Sequence, residues 1–297
     1  MKALILGDLH LTNKCPENRT DNYEETVLRK FGFILNVAKG NKCDCIIQPG
    51  DFSDSPSLSY DFFIKISSMI RLFGKHIFTC WGQHDLRYRT KENTFLAALE
   101  EANDNLHILT KGPATGFMGV DLYASSFGEE VPDIENTDKF NILLTHRMIV
   151  NEKLWEGQTD CQYANSFLRL NKFNLIVSGD NHSSFSYKIG SRYLFNLGAT
   201  LRSTINQIEH KPAVIVFNTT MKKEEYIPIL IEPAEKVFKM EKIEREKERN
   251  KELDAFVSGL SEHKEMGLSF TDNLNEYMKK NNIDPSIGNI IKECTNE

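Results

Sequence analysis

Five short apolar runs in this chain end on residues able to bind a metal or move a proton. Lys2-Ala3-Leu4-Ile5-Leu6 leads into Gly7-Asp8-Leu9-His10, and the stretch 43–54 (CDCIIQPGDFSD) delivers Gly50-Asp51. The stretch 75–85 (KHIFTCWGQHD) delivers Gly82-Gln83-His84-Asp85, 139–147 (KFNILLTHR) delivers His146, and 173–182 (FNLIVSGDNH) delivers Gly179-Asp180-Asn181-His182. Carboxylates and imidazoles are the donors of choice for manganese, magnesium or zinc, and imidazole is also the usual general acid or base. Taken singly, a Gly-Asp after a strand is ordinarily a turn or a helix cap. Recurrence changes the reading, because ligands of open α/β sheets gather beyond the carboxyl ends of the strands, where every one of these groups falls.

The elements that must position these residues follow from periodicity. A helix is expected over Tyr23–Lys39, with Val27, Phe31, Ile34, Leu35 and Ala38 on one face and Gly40-Asn41 as its stop. A second carries Phe62, Phe63, Ile66, Met69 and Ile70 and ends at Gly74; weaker ones are expected near Thr94–Asn103 and Cys161–Leu170. Leu106–Phe127, broken by Gly-Pro and Gly-Val, reads as antiparallel hairpins. So does 184–198, turning at Gly190-Ser191, with AVIVFN and EEYIPILI as two more antiparallel strands. Mixed strands with flanking helices predict two sheets packed together between helical layers. From about Glu232 the composition turns charged and helical. A catalytic domain over 1–232 and a helical appendage over 233–297 are therefore expected, the latter either covering the core through Val237, Phe238, Ile243 and Leu253 or docking a partner through Phe256, Val257, Leu260, Leu268 and Phe270.

Composition sets bounds on what the chain can be. Its 297 residues, 40% hydrophobic and 26% charged, are those of an ordinary globular protein, and a net charge of −6 argues against a general nucleic-acid coat. It leaves DNA open as a substrate, because bound divalent ions bring positive charge of their own. Six cysteines, at positions 15, 43, 45, 80, 161 and 294, show no zinc-ribbon spacing and read as reduced thiols. No signal peptide or membrane span is legible, so a cytoplasmic location is expected, that of the host if the chain is phage-encoded.

The ordered set Asp8-Leu9-His10, Gly50-Asp51, Gly82-Gln83-His84-Asp85, His146 and Gly179-Asp180-Asn181-His182 resembles the calcineurin-like metallophosphoesterases over roughly positions 1–230. Together with Asn196-Leu197-Gly198-Ala199-Thr200 it looks most like the SbcD-type nuclease subunit of SbcCD DNA-repair complexes, in a compact, phage-like form. The resemblance implies a four-layer αββα sandwich and two divalent ions, Mn2+ or Mg2+, bridged by Asp51. Asp8, His10 and His182 would hold the first ion, and His146, Gln83 and Asp180 the second. It makes His84 the catalytic group beside the ions, with Asp85 orienting its ring. Asp54 would stand behind the ligands or cap a helix. It further implies DNA as substrate, an SbcC-like ATPase docking on the C-terminal helices, and homodimerisation.

This chain departs from the family pattern twice, at one metal: Gln83 replaces the usual Asn and Asp180 the usual His. Both keep a donor oxygen and make that site harder and more anionic, which favours manganese or magnesium over zinc. Arg87, Tyr88, Arg89, Arg147 and Arg202 are candidates for phosphate contacts. The competing functions are a stand-alone phosphodiesterase or phosphatase acting on nucleotides or small phosphoesters, since a fold does not fix a substrate, and a catalytically degenerate subunit.

Overall fold

The computed structural model describes residues 1–155 and 158–241, with positions 245, 249, 251, 278, 279, 283, 284 and 287 beyond them. It divides into two units, Met1–Phe238 and Lys239–Glu297. In chain order the first holds β1 (Lys2–Ile5), α1 (Tyr23–Gly40), β2 (Cys45–Ile47), α2 (Tyr60–Phe73), β3 (His76–Thr79), α3 (Phe95–Glu101) and β4 (Leu106–Ile108). Then come β5 (Thr115–Phe117), β6 (Val120–Ser125), β7 (Phe140–His146), β8 (Ile149–Val150), β9 (Gln162–Tyr163), α4 (Ala164–Leu170) and β10 (Leu175–Gly179). The unit closes with β11 (Phe185–Ile189), β12 (Arg192–Asn196), a 3-10 turn at Ile205–Gln207, β13 (Ala213–Asn218), β14 (Lys223–Pro228) and α5 (Ala234–Val237).

Two six-stranded mixed sheets result, ordered β14-β13-β1-β2-β3-β4 and β11-β12-β10-β7-β6-β5. The strands that feed the chemistry, β1, β2, β3, β7 and β10, are interior and run parallel to their β-α neighbours, which is why their sequences are continuously apolar. Ala3 and Ile5 point into the layer between the sheets, where they join Ile47, Leu144, Val177 and Phe195. Leu4 and Leu6 point the other way, against Val27, Phe31 and Ile66 of α1 and α2. On the far side Leu143 and Ile176 pack on Phe167 and Leu168 of α4. The period-two alternation of strands thus builds three cores between four layers, the α/β sandwich expected.

The helices start where side chains supply partners for free amides. Asn22, Ser59 and Thr94 accept from the backbone N–H groups of Glu25, Phe62 and Ala97, and α2 stops at Gly74, whose φ of 68° suits glycine. One expectation fails here. Leu106–Ile108 is no hairpin strand; it pairs parallel to β3 as the sheet's edge, and only β5 and β6 form a hairpin in that stretch. The Gly112-Pro113 break that suggested a hairpin is the crossing from one sheet to the other.

The first unit runs past Glu232 to Phe238, because Phe238 is 2% exposed and its ring is covered by the guanidinium groups of Arg19 and Arg202. Val237 is buried beside it, whereas Ile243, Leu253, Phe256, Val257, Leu260, Leu268 and Phe270 lie outside the described residues. Cys43, Cys45 and Cys80 are buried free thiols. Among the described residues no helix is long and apolar enough to cross a membrane.

Candidate metal centre

The carboxyl ends of β1, β2, β3, β7 and β10 converge on one site. Asp8, Asp51 and His146 are fully or almost fully buried there, and His10 is 8% exposed. The Nε2 atoms of His10 and His182 face each other at 3.1 Å, with Asp8 Oδ2 3.7 Å from His182 Nε2 and Asp51 Oδ2 3.7 Å from His10 Nε2. Asp8, His10 and His182 place one donor atom each within 4.8 Å of one another.

Beside this group His146 Nδ1 donates to the Pro49 carbonyl at 2.8 Å, which leaves Nε2 to face Asp51 Oδ2 at 3.3 Å. A neutral ring presents a lone pair there, so two acceptors confront each other unless a cation lies with them. Gln83 Nε2 donates to Asp180 Oδ1 at 2.9 Å. Asp8 Oδ1, Asp51 Oδ2, Gln83 Oε1 and His146 Nε2, all on residues carried by these strand ends, are buried without hydrogen-bond partners. Buried acceptors without donors are costly, and divalent cations are what such a set fits.

The electrostatics carry the same signature. Burial pushes the Asp8 carboxyl up to about 7, helped by Asp51 and opposed by His146. Burial also works against charge on Asp51, but His146 first, then His10 and His84, outweigh it and hold that carboxyl at about 2. His146 answers in kind: against burial, Asp51 and then Asp8 and Asp180 raise it to about 10. Burial, with His10 beside it, lowers His182 to about 4, leaving a neutral ring with a free lone pair.

The backbone makes room for this crowding. A Cβ at Gly82 would stand 2.0 Å from Asp51 Oδ1, and one at Gly179 2.4 Å from Asp8 Oδ1. His10, Asp51 and Asp180 have φ values of 47°, 50° and 80°, strained for side-chain-bearing residues and of the kind that gathers at functional sites.

Asp54 lies behind the ligands: its Oδ1 is 3.5 Å from His10 Nδ1, and its carbonyl accepts from His84 Nδ1 at 3.2 Å. That bond turns His84 Nε2 outward on an exposed ring, which meets His10 edge-on at 4.9 Å between centroids. Asp85 does not orient His84, contrary to expectation. Its carboxylate accepts from the N–H groups of Phe52, Ser53 and Gly82 and from Ser53 Oγ, so it ties the Asp51 loop to the Gln83-His84 loop. Arg202 is likewise corrected. It is 3% exposed and donates to the carbonyls of Ile208 and Glu232, so its guanidinium is held inside the chain and not presented to a ligand. Arg147 is half-buried and donates to the Glu129 carbonyl, while Arg89 is exposed and Arg87 bonds Ser57 Oγ. Two positioning groups were missed in the sequence: Gln207, whose Nε2 is 3.4 Å from His182 Nδ1, and Gln48, whose amide joins the ends of β1, β2 and β3 through Gly7, Gly50 and Thr79. Gln48 directly follows the apolar run of β2, and Gln207 closes a Thr204-x-x-Gln207 capping box; these were the available signals.

The model of the calcineurin-like phosphoesterase family matches residues 1–184, a span that takes in every donor from Asp8 to His182. The chain belongs to this family. Calcineurin-like phosphoesterases hydrolyse phosphoesters with divalent metals, and the donor set just described fits such ions. Among solved structures the chain is similar to TT1561 of Thermus thermophilus, at 11% identity and a TM-score of 0.51, over 77% of this chain and 99% of that one. It is also similar to a structure described as a novel archaeal phosphodiesterase, at 12% identity and a TM-score of 0.44 over the same shares. The first likeness concerns the fold. No curated protein matches the sequence.

Proposed function

We propose that this calcineurin-like phosphoesterase is a manganese-dependent DNA nuclease of the SbcD type, cleaving phosphodiester bonds in DNA repair, recombination or replication. The observation that carries the reading is the use made of the Asn196–Thr200 run on which the SbcD resemblance rests. Asp8 N donates to the Gly198 carbonyl at 3.0 Å, Thr200 N donates to the Asp8 carbonyl at 2.8 Å, and Ala199 N donates to the His182 carbonyl at 3.2 Å. The run therefore clamps two ligands from opposite ends of the motif set into one group. Gly198 can do this at a φ of 67°, with the His182 carbonyl 2.3 Å from where a Cβ would be.

Asp8, His10 and His182 would hold one ion, and His146, Gln83 and Asp180 a second, with Asp51 shared. The oxygen-rich second group supports manganese or magnesium. Bound there, the ions supply Lewis acidity and lower the pKa of water toward neutrality. The chain's own residues do the rest. Asp51 fixes the two groups of donors relative to one another, and its Oδ1 accepts from His84 N at 2.9 Å. His84, anchored through Nδ1, presents Nε2 to the open face, where it can stabilise charge on the phosphoryl oxygens or protonate the leaving oxygen. An SbcC-like ATPase docking on residues beyond Phe238, and self-association, belong to the same proposal.

The test is degradation of end-labelled single- and double-stranded DNA in manganese, with bis(p-nitrophenyl) phosphate assayed in parallel. Shortened DNA supports the nuclease. Intact DNA with diester hydrolysis would replace it with a stand-alone phosphodiesterase.

A further inference from the structure

The segment after His84-Asp85 folds into a turn whose residues are poorly suited to it. Arg87 N donates to the Thr90 carbonyl at 3.0 Å and Thr90 N returns a bond to the Arg87 carbonyl at 2.8 Å, the reciprocal pair that closes a two-residue hairpin turn. Thr90 Oγ1 adds a third bond to the same Arg87 carbonyl, at 2.7 Å. The two central residues, Tyr88 and Arg89, have φ values of 50° and 65°. Turns with two positive φ values take Asn-Gly or Asp-Gly, because a bulky side chain there is strained. Strain of this sort persists where the side chain is used.

The use is suggested by where the turn points. Tyr88 is 95% exposed, so its ring is left open to solvent among the described residues. At its foot lies a groove of about 390 Å³ lined by Pro56, Ser57, Leu86, Arg87 and Tyr88, within the size range of small-ligand sites. One wall continues the loop of Asp54 and the other the loop of His84, and Arg87 bonds Ser57 Oγ across it. The groove's walls thus follow directly in sequence on Asp54 and on His84-Asp85, with the Tyr88 ring and the Arg87 side chain in its lining and Arg89 exposed beside them in the turn.

We infer that Tyr88 is a stacking platform for an unpaired nucleobase of single-stranded nucleic acid, with Arg89 on the adjoining phosphate. This rests on the nuclease reading and deepens it. Every base has a π-face and an arginine recognises the backbone, so the pair would hold a strand without reading its sequence. A duplex keeps its bases inside and offers the ring no face, so the platform favours open strands.

The test is the KM for manganese-dependent cleavage of a single-stranded oligonucleotide by the full-length protein, compared with an oligomer of equal length made only of abasic deoxyribose phosphate. Tyr88→Ala should raise KM for the oligonucleotide about 5- to 150-fold with kcat unchanged, the range that loss of one base stack spans. Tyr88→Phe should behave as wild type, and on the abasic oligomer Tyr88→Ala should match wild type. Replacing the pair by the turn-favoured Asn-Gly (Tyr88→Asn with Arg89→Gly) should raise the thermal midpoint while KM worsens. An unchanged KM in Tyr88→Ala, or equal losses on both substrates, would overturn the inference. So would a loss on a dinucleoside monophosphate with none on the longer strand, which would assign the base to a small nucleotide. A wild type that cleaves no DNA yields no KM and fails the nuclease reading itself, so the two failures are distinguishable.

Discussion

His146 stands with Nε2 3.3 Å from Asp51 Oδ2 while its Nδ1 is committed to the Pro49 carbonyl at 2.8 Å. In the metal-free protein the cation between them is a proton, which is why His146 holds it up to about 10. A divalent ion must displace that proton. Asp8, raised to about 7 chiefly by burial, gives up another.

A pH dependence follows, with its sign set by these two groups. His146 contributes stability that is full below its ordinary 6.5 and fades as pH rises through about 10; Asp8, with its folded value above the unfolded 3.8, loses stability between about 4 and 7. Both trends run downward with pH. The thermal midpoint in chelator should fall from pH 6.5 to pH 9, above the interval in which His182, lowered to about 4, gains stability as pH rises, and the increment given by manganese should grow over the same window. An increment independent of pH would contradict the proton-for-metal exchange.

Asp8→Asn should separate stability from function. It removes a buried carboxyl that burial disfavours in its charged form, so the metal-free variant should unfold at a higher temperature than wild type above pH 7. The same change should weaken metal binding and abolish turnover. Differential scanning calorimetry in chelator checks the first outcome, and metal analysis the second.

His84→Ala should leave metal content near that of wild type while turnover falls about 10²- to 10⁴-fold, the range for a positioned acid or base. Asp54→Ala removes the carboxylate beside His10 Nδ1 and leaves the carbonyl that anchors His84. A loss of about 10- to 100-fold in metal affinity is expected, as for other groups standing behind metal ligands. Metal lost with His84→Ala would make that ring a ligand.

Gly82→Ala places a methyl 2.0 Å from Asp51 Oδ1 and 2.2 Å from Asp51 N, with no flexible side chain able to yield. It should abolish activity and manganese binding while circular dichroism still reports the folded sandwich. Wild-type metal affinity in this variant would show that the Asp51 loop moves freely.

Much of this was legible because the ligand-bearing strands are buried on both faces, which turns their ends into the few places where polar residues can stand. Ile5, Ile47, Leu144 and Val177 announce the strands; Asp8, Asp51, His146 and Asp180 follow at once. What was not legible depends on contacts distant in sequence. Leu106–Ile108 is too short to reveal whether it pairs parallel or antiparallel, and that is decided by β3 beside it. Asp85 looks like a partner for its neighbour His84, but its carboxylate is captured by amides of Phe52 and Ser53. Arg202 follows a ligand loop as a phosphate-binding arginine would, yet Phe238 and the Glu232 carbonyl draw it inside. The positive φ values of Tyr88 and Arg89 leave no mark in residue type, whereas His10, Asp51 and Asp180 are of the types that adopt them more readily.

The central claim is a two-metal centre bridged by Asp51, and the most direct test is the number of manganese ions bound per chain, by calorimetric titration of protein first stripped with chelator. Two ions in the wild type and none in Asp51→Asn is the predicted result. One ion or none in the wild type, or two retained in Asp51→Asn, would contradict it.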